Sequence, residues 1–168
     1  MIKIRKTVLA LASLIGLLVF AVAAIQPASA FFDGKLGNGY QALYLWLVEK
    51  DPSDWSVVQG GAKGQLFVLY GSYFWFSARG LEPYTKYTLI YYGDETHNDQ
   101  WPFATCMKSG ATNRYGRVGM QGGYNFYQFI GNDVPEKIWL VLSSDVDCDN
   151  HKMTAWHPTE YLFEWDTI

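Results

Sequence analysis

The sequence predicts an all-β protein: two sheets packed face to face, seven to nine strands in all, behind an N-terminal signal helix. Three observations predict it. Along residues 31–168, short aromatic and β-branched runs alternate with Gly, Asn, Asp and Pro, the pattern of strands and tight turns. No stretch there sustains a 3.6-residue apolar period over three turns, which disfavours helix. Some of the runs are apolar on both faces and others keep one wet face, as two stacked layers require.

The N-terminus carries an export address. Lys3, Arg5 and Lys6 precede an apolar run from Val8 to Ala24, followed by Pro27 and the small-residue triplet Ala28-Ser29-Ala30. A charged start, an apolar middle and an A-x-A site are the three parts of a secretory signal. The expectation is a signal peptide over residues 1–30, cleaved after Ala30, and a single domain over 31–168. A signal anchor is the rival reading. Val8–Ala24 is shorter than the roughly 20 apolar residues that span a bilayer, and Ser13 and Gly16 interrupt it. Membrane contact is expected only through this segment, and only if it stays attached.

Three of the 13 Lys and Arg lie in the signal, and all 16 acids follow it. Ten cations against 16 anions leave the mature domain with a net charge of −6. No run of Lys or Arg occurs, which argues against nucleic acid and anionic membrane as partners. The charge suits a soluble exported domain.

Strands are expected near Ala42–Val48, Leu66–Tyr70, Tyr73–Ala78, Lys86–Tyr92, Phe103–Lys108, Arg117–Gln121, Ile138–Ser143, Lys152–Trp156 and Tyr161–Trp165. Ile138-Trp-Leu-Val-Leu142 is apolar on both faces and reads as a central, covered strand. Arg117-Val-Gly-Met-Gln121 alternates and reads as a strand with one wet face. Asn113-Arg-Tyr-Gly116 reads as a turn with Gly116 available for positive φ, and Asp147-Cys-Asp-Asn150 as a hairpin turn. Single helical turns are expected at most at Pro52–Trp55 and Pro158–Tyr161. Cys106 and Cys148 are expected to form a disulfide, since zinc thiolate sites bring closely spaced pairs and neither cysteine has one. That bridge would close a 42-residue loop, worth about 3–4 kcal/mol in the chain-entropy account.

Gly80-Leu-Glu-Pro-Tyr-Thr-Lys-Tyr-Thr-Leu89 resembles the Leu-x-Pro-x-Thr-x-Tyr turn that enters a late strand of fibronectin type III and other immunoglobulin-like domains. The resemblance implies an immunoglobulin-like sandwich with a tyrosine corner at Tyr87 and Leu81 as its apolar plug. It covers about ten residues. It also departs from the family, because residues 93–168 follow this strand where a fibronectin domain has one strand left. At longer range, Gly80–Pro83, Tyr87–Tyr92, Ile138–Asp147 and Trp156–Glu164 are similar to uncharacterised exported immunoglobulin-like or fibronectin-like β-sandwich proteins of archaea and bacteria. That likeness implies export and fold, and no activity.

Asp145, Asp147 and Asp149 place carboxylates at every second position, as in the first half of an EF-hand loop. Asn150 stands where a Gly is wanted, however, and the twelfth position is Trp156 rather than Glu. A hairpin Ca²⁺ site is the alternative reading, and an acidic turn the simpler one. His97, His151 and His157 form no i, i+2 or i, i+4 pair and read as solvated loop histidines. Ser72, Ser109, Ser143 and Ser144 lie in no G-x-S-x-G elbow.

The aromatics admit two readings: both sheets simply packed with rings, with Tyr hydroxyls at the rim, or an exposed aromatic platform for a ligand. Of the 7 Trp, 12 Tyr and 10 Phe, all but Phe20 lie in the mature chain, more rings than a small sandwich interior usually takes. Tyr73-Phe-Trp-Phe76 must point two rings to each face of its strand. These readings point to an exported, non-catalytic binding or cell-envelope interaction domain, outside the cell or in its envelope, needing no cofactor. Its aromatic surface would comprise Tyr73, Trp75, Trp101, Tyr124 and Tyr127 and meet a glycan, a peptide or another cell-surface protein. The alternative is a metal-dependent extracytoplasmic enzyme or ion-binding protein using the Asp145–Asp149 hairpin.

Overall fold

The computed structural model describes residues 42–69, 72–93, 104–126 and 137–165, and the signal segment, His97, Trp101 and Tyr127 lie outside them. Among the described residues the protein is all-β, with no α-helix. Three consecutive strands, β1 (Ala42–Val48), β2 (Lys63–Leu69) and β3 (Tyr73–Arg79), pair antiparallel as a meander. β6 (Val118–Gly123) joins the far edge of β3, and β10 (Phe163–Glu164) joins β1, giving the order β10-β1-β2-β3-β6. A second sheet has the order β5-β4-β7, from β4 (Lys86–Tyr92), β5 (Ala104–Ala111) and β7 (Lys137–Leu142). A small hairpin of β8 (Val146–Asp147) and β9 (Lys152–Met153) completes the ten strands among the described residues.

Alternation decides which face each strand buries. β3 reads exposed–buried throughout, so Phe74, Phe76 and Ala78 face inward while Tyr73, Trp75, Ser77 and Arg79 face out. The inward set packs with Leu47, Leu66, Val68, Val118 and Met120 of its own sheet and with Tyr87, Leu89, Ile138 and Leu140 of the other. One apolar core therefore lies between the two sheets. β4 is buried on both faces after Lys86. Its other face, with Ile90 and Tyr92, joins Trp139, Val141, Val146, Met153, Tyr161 and Phe163 in a second core built by the C-terminal segment.

β7 is not a central strand of its sheet, contrary to the double-faced apolar pattern. It lies at the border, and its apolar outer face is covered by the second core. Its free edge is closed by Leu162, through reciprocal backbone bonds of 2.9 Å with Leu140. The Ile138 N–H also donates to the buried Glu164 carboxylate at 2.7 Å. Residues 162–164 thus tie the two sheets together along one side.

Three local devices fix the geometry. The Glu82 N–H donates to the Tyr87 hydroxyl at 3.3 Å, and burial pushes that phenol's pKa up. Buried Thr112 knots the same corner: its hydroxyl donates to Glu82 O at 2.6 Å and accepts from Thr85 N–H at 2.9 Å. Gly116 has φ +64°, and an added Cβ there would lie 2.0 Å from Leu81 O, so no other residue fits. A register shift between Leu89 and Ile90 pairs Ile90 with Cys106 and turns the cysteine to the second core. There it bonds Cys148, with Cα atoms 5.4 Å apart.

Candidate functional site

The outer face of the five-stranded sheet is organised in rows, because each strand's outward residues sit opposite those of its neighbours. One row runs Tyr44–Phe67–Trp75–Gln121 across β1, β2, β3 and β6. The row on one side runs Leu69–Tyr73–Gly123, and the row on the other runs Trp46–Gln65–Ser77–Gly119. The rings meet one another. Tyr73 and Trp75 lie 4.6 Å apart between centroids, Phe67 and Trp75 5.9 Å, and Tyr44 and Trp46 5.8 Å. Tyr73 is 40% and Trp75 41% exposed, with Tyr44, Trp46 and Phe67 half-buried beside them. Such a patch of contiguous rings on an outer sheet face is the kind of surface that marks contact with a partner.

Beyond the rings, the same face opens into a trough of about 620 Å³. Trp46 forms one wall, and Gln65, Ser77 and Gly119 belong to the row beneath it. Nothing lies within 4 Å of where a Gly119 Cβ would stand, so the floor there is open. Lys63, Arg79 and Arg117, all exposed, line the end away from the rings.

Of the five expected surface aromatics, the structure brings Tyr73 and Trp75 together. Tyr124 is corrected: its half-buried ring packs against the main core and Phe126 at 5.1 Å, off the outer face. Tyr44, Trp46 and Phe67 take part without having been expected. Their signal was alternation with Leu45, Leu47, Leu66 and Val68, which predicts outward rings but not their alignment across strands.

Another exposed ring, Trp156 at 48%, is of a different kind. It lies against Trp139, Tyr161 and Phe163 at 5.5–6.2 Å and caps the second core. Trp55, held at φ 60°, packs edge-on to Phe163 and lies 6.4 Å from Trp156.

The acidic hairpin is not a converging set of carboxylates. Asp145 sits in a 3-10 turn (Ser143–Asp145) and is buried, where the Tyr161 hydroxyl and the Ser144 hydroxyl donate to it and His157 Nδ1 lies 2.7 Å away. Asp147 caps its own turn instead, accepting from Asp149 N–H, Asn150 N–H and the Asn150 side chain. Asp149 is exposed. Among the described residues no group of three or more His, Cys, Asp or Glu side chains is arranged to hold a metal.

The Asp145 cluster has its own electrostatics. Burial pushes the Asp145 carboxyl up, but bonds from Tyr161, His157 and Ser144 outweigh it and hold the pKa below the usual range. The hydrogen bond to Asp145, and then its charge, push the exposed His157 imidazole up. Burial, then the Asp145 bond, push the Tyr161 phenol up. Ser143, for its part, bonds Thr88 at 2.7 Å rather than His157. The bonds of this cluster run inward and fasten the C-terminal segment to the turn after β7. Neither a family model, nor a curated protein, nor a solved structure matches this chain.

Proposed function

We propose that this is an exported, non-catalytic binding domain of the cell envelope, and that it holds a glycan on the outer face of its five-stranded sheet. The observation that carries the reading is the row Tyr44–Phe67–Trp75, with Tyr73 and Trp46 at its flanks. Tyr and Trp combine a flat apolar face with one polar atom. A sugar ring has the complementary pair of surfaces, a C–H face that stacks and a rim of hydroxyls that hydrogen-bond. Rings set in a stiff sheet also lose little freedom on binding, which lowers the ordering cost. The Cys106–Cys148 disulfide suits an oxidising compartment outside the cytosol and supports export.

In architecture we read the domain as immunoglobulin-like, on the support of the shared core and the Tyr87 corner. Its β1-β2-β3 meander departs from the immunoglobulin order, in which the third strand crosses to the opposite sheet. The kinship is thus one of layers rather than of connectivity.

A glycan array probed with the wild-type protein and with Trp75→Ala tests the function. Selective binding that the substitution abolishes is expected. Equal binding by both proteins, or no glycan bound at all, would overturn the reading.

A further inference from the structure

We propose that the ligand of this face is an acidic saccharide, a pyranose chain bearing carboxylate or sulfate groups, with its sugar rings on Trp75 and its anionic groups among Lys63, Arg79 and Arg117. This rests on the glycan-binding role above and names the ligand's chemistry. The two halves of the site are continuous. Ser77 lies two residues beyond Trp75 on the same face of β3, and Arg79 two beyond that. At about 3.3 Å per residue, Trp75 and Arg79 stand roughly 13 Å apart, a reach that an oligosaccharide spans and a single sugar does not.

The cations are placed as though for an anion. Lys63 and Arg79 are direct cross-strand partners, and like charges so opposed are destabilising unless something neutralises them. Among the described residues neither they nor Arg117 makes an ion pair, and no Asp or Glu lines the trough. This gathering of positive charge stands on a chain whose net charge is −3. Arg79 and Arg117 offer planar forks of N–H donors, which match carboxylate and sulfate oxygens. Between cations and rings, Gln65 and Ser77 supply polar side chains at the level of sugar hydroxyls. Gly119 leaves room above the sheet for them to be reached.

Titration calorimetry tests the assignment, using the purified protein with its disulfide intact. The probes are an oligogalacturonate and a heparin-derived oligosaccharide, set against neutral galacto- and cello-oligosaccharides and a single-stranded DNA. At least one acidic saccharide is expected to bind about tenfold or more tighter than its neutral counterpart, and more weakly as salt screens the cations. Binding of oligogalacturonate shows that carboxylates suffice, and binding of the heparin fragment alone, which carries both groups, shows that sulfate is needed. The Arg79→Ala/Arg117→Ala double variant and Trp75→Ala are each expected to lose about tenfold or more in affinity, an effect of about 1.4 kcal/mol. Both variants alter exposed side chains, and an unchanged near-ultraviolet circular dichroism spectrum verifies their fold. Neutral sugars binding as well as acidic ones, with the arginine variant unaffected, would overturn the acidic assignment and leave the glycan-binding reading standing. Equal binding of DNA, or indifference to Trp75→Ala, would reveal unselective anion attraction and also overturn it. No saccharide binding at all would overturn both readings.

Discussion

Asp145→Asn tests the staple that holds the second core. The substitution keeps the shape and removes the charge. The carboxylate accepts from the Tyr161 hydroxyl, the Ser144 hydroxyl and His157 Nδ1. An amide offers one uncharged oxygen to Tyr161 and His157, and its NH₂ group turns toward Ser144, whose hydroxyl must reverse to accept. Hydrogen bonds to a charged group contribute about 1.5–3 kcal/mol each. Tyr161 is fully buried, so its bond counts in full, whereas Ser144 is exposed and water replaces part of its loss. The expected cost is therefore about 2–3 kcal/mol, read as the difference in urea unfolding free energy with the disulfide intact.

That cost depends on pH. The lowered Asp145 pKa contributes stability above its unfolded value of 3.8, lost as pH falls through the folded one. The raised His157 pKa contributes stability that is complete below 6.5 and lost as pH rises through its folded value. The gap between wild type and variant should be widest between pH 3.8 and 6.5 and narrow on both sides. A gap below about 0.5 kcal/mol, the usual size of a surface substitution, would contradict this account, as would one that stays equally wide well below pH 3.8 and well above pH 6.5.

Three further outcomes follow from the fold. Thr112→Val strips the corner of a hydroxyl serving both Glu82 O and Thr85 N–H, and should cost about 1–2 kcal/mol by the same measurement; an unchanged midpoint would contradict the knot. Cys106→Ala/Cys148→Ala opens the 42-residue loop and should cost about 3–4 kcal/mol in thermal unfolding, against no shift if the bridge is dispensable. Gly116→Ala forces a Cβ onto Leu81 O at positive φ, should cost more than about 1 kcal/mol, and should displace the neighbouring Arg117 so that acidic-saccharide affinity falls too.

The strands are legible in the sequence because their signals are local. Lys86–Tyr92 and Tyr73–Arg79 announce themselves by composition and period alone. The outer aromatic face is not legible there, because it needs pairing between distant segments. Phe67 stands beside Trp75, and Tyr44 beside Phe67, only because three strands share one register. Lys63, Arg79 and Arg117 form no run in the chain, yet the sheet collects them at one end of a trough. The Asp145 cluster was hidden differently. Carboxylates at every second position share a face only in extended backbone. The 3-10 turn over Ser143–Asp145 breaks that alternation and turns Asp145 inward to Tyr161, leaving Asp147 on the hairpin.

The most direct test of the central claim is to see which rings respond to a saccharide. Aromatic ¹³C–¹H NMR spectra recorded while oligogalacturonate or a heparin-derived oligosaccharide is added would report each ring separately. Shifts gathered on Tyr44, Phe67, Tyr73 and Trp75 are the predicted result. Shifts gathered instead on Trp55, Trp139 and Trp156, or spectra that do not change for any saccharide, would contradict it.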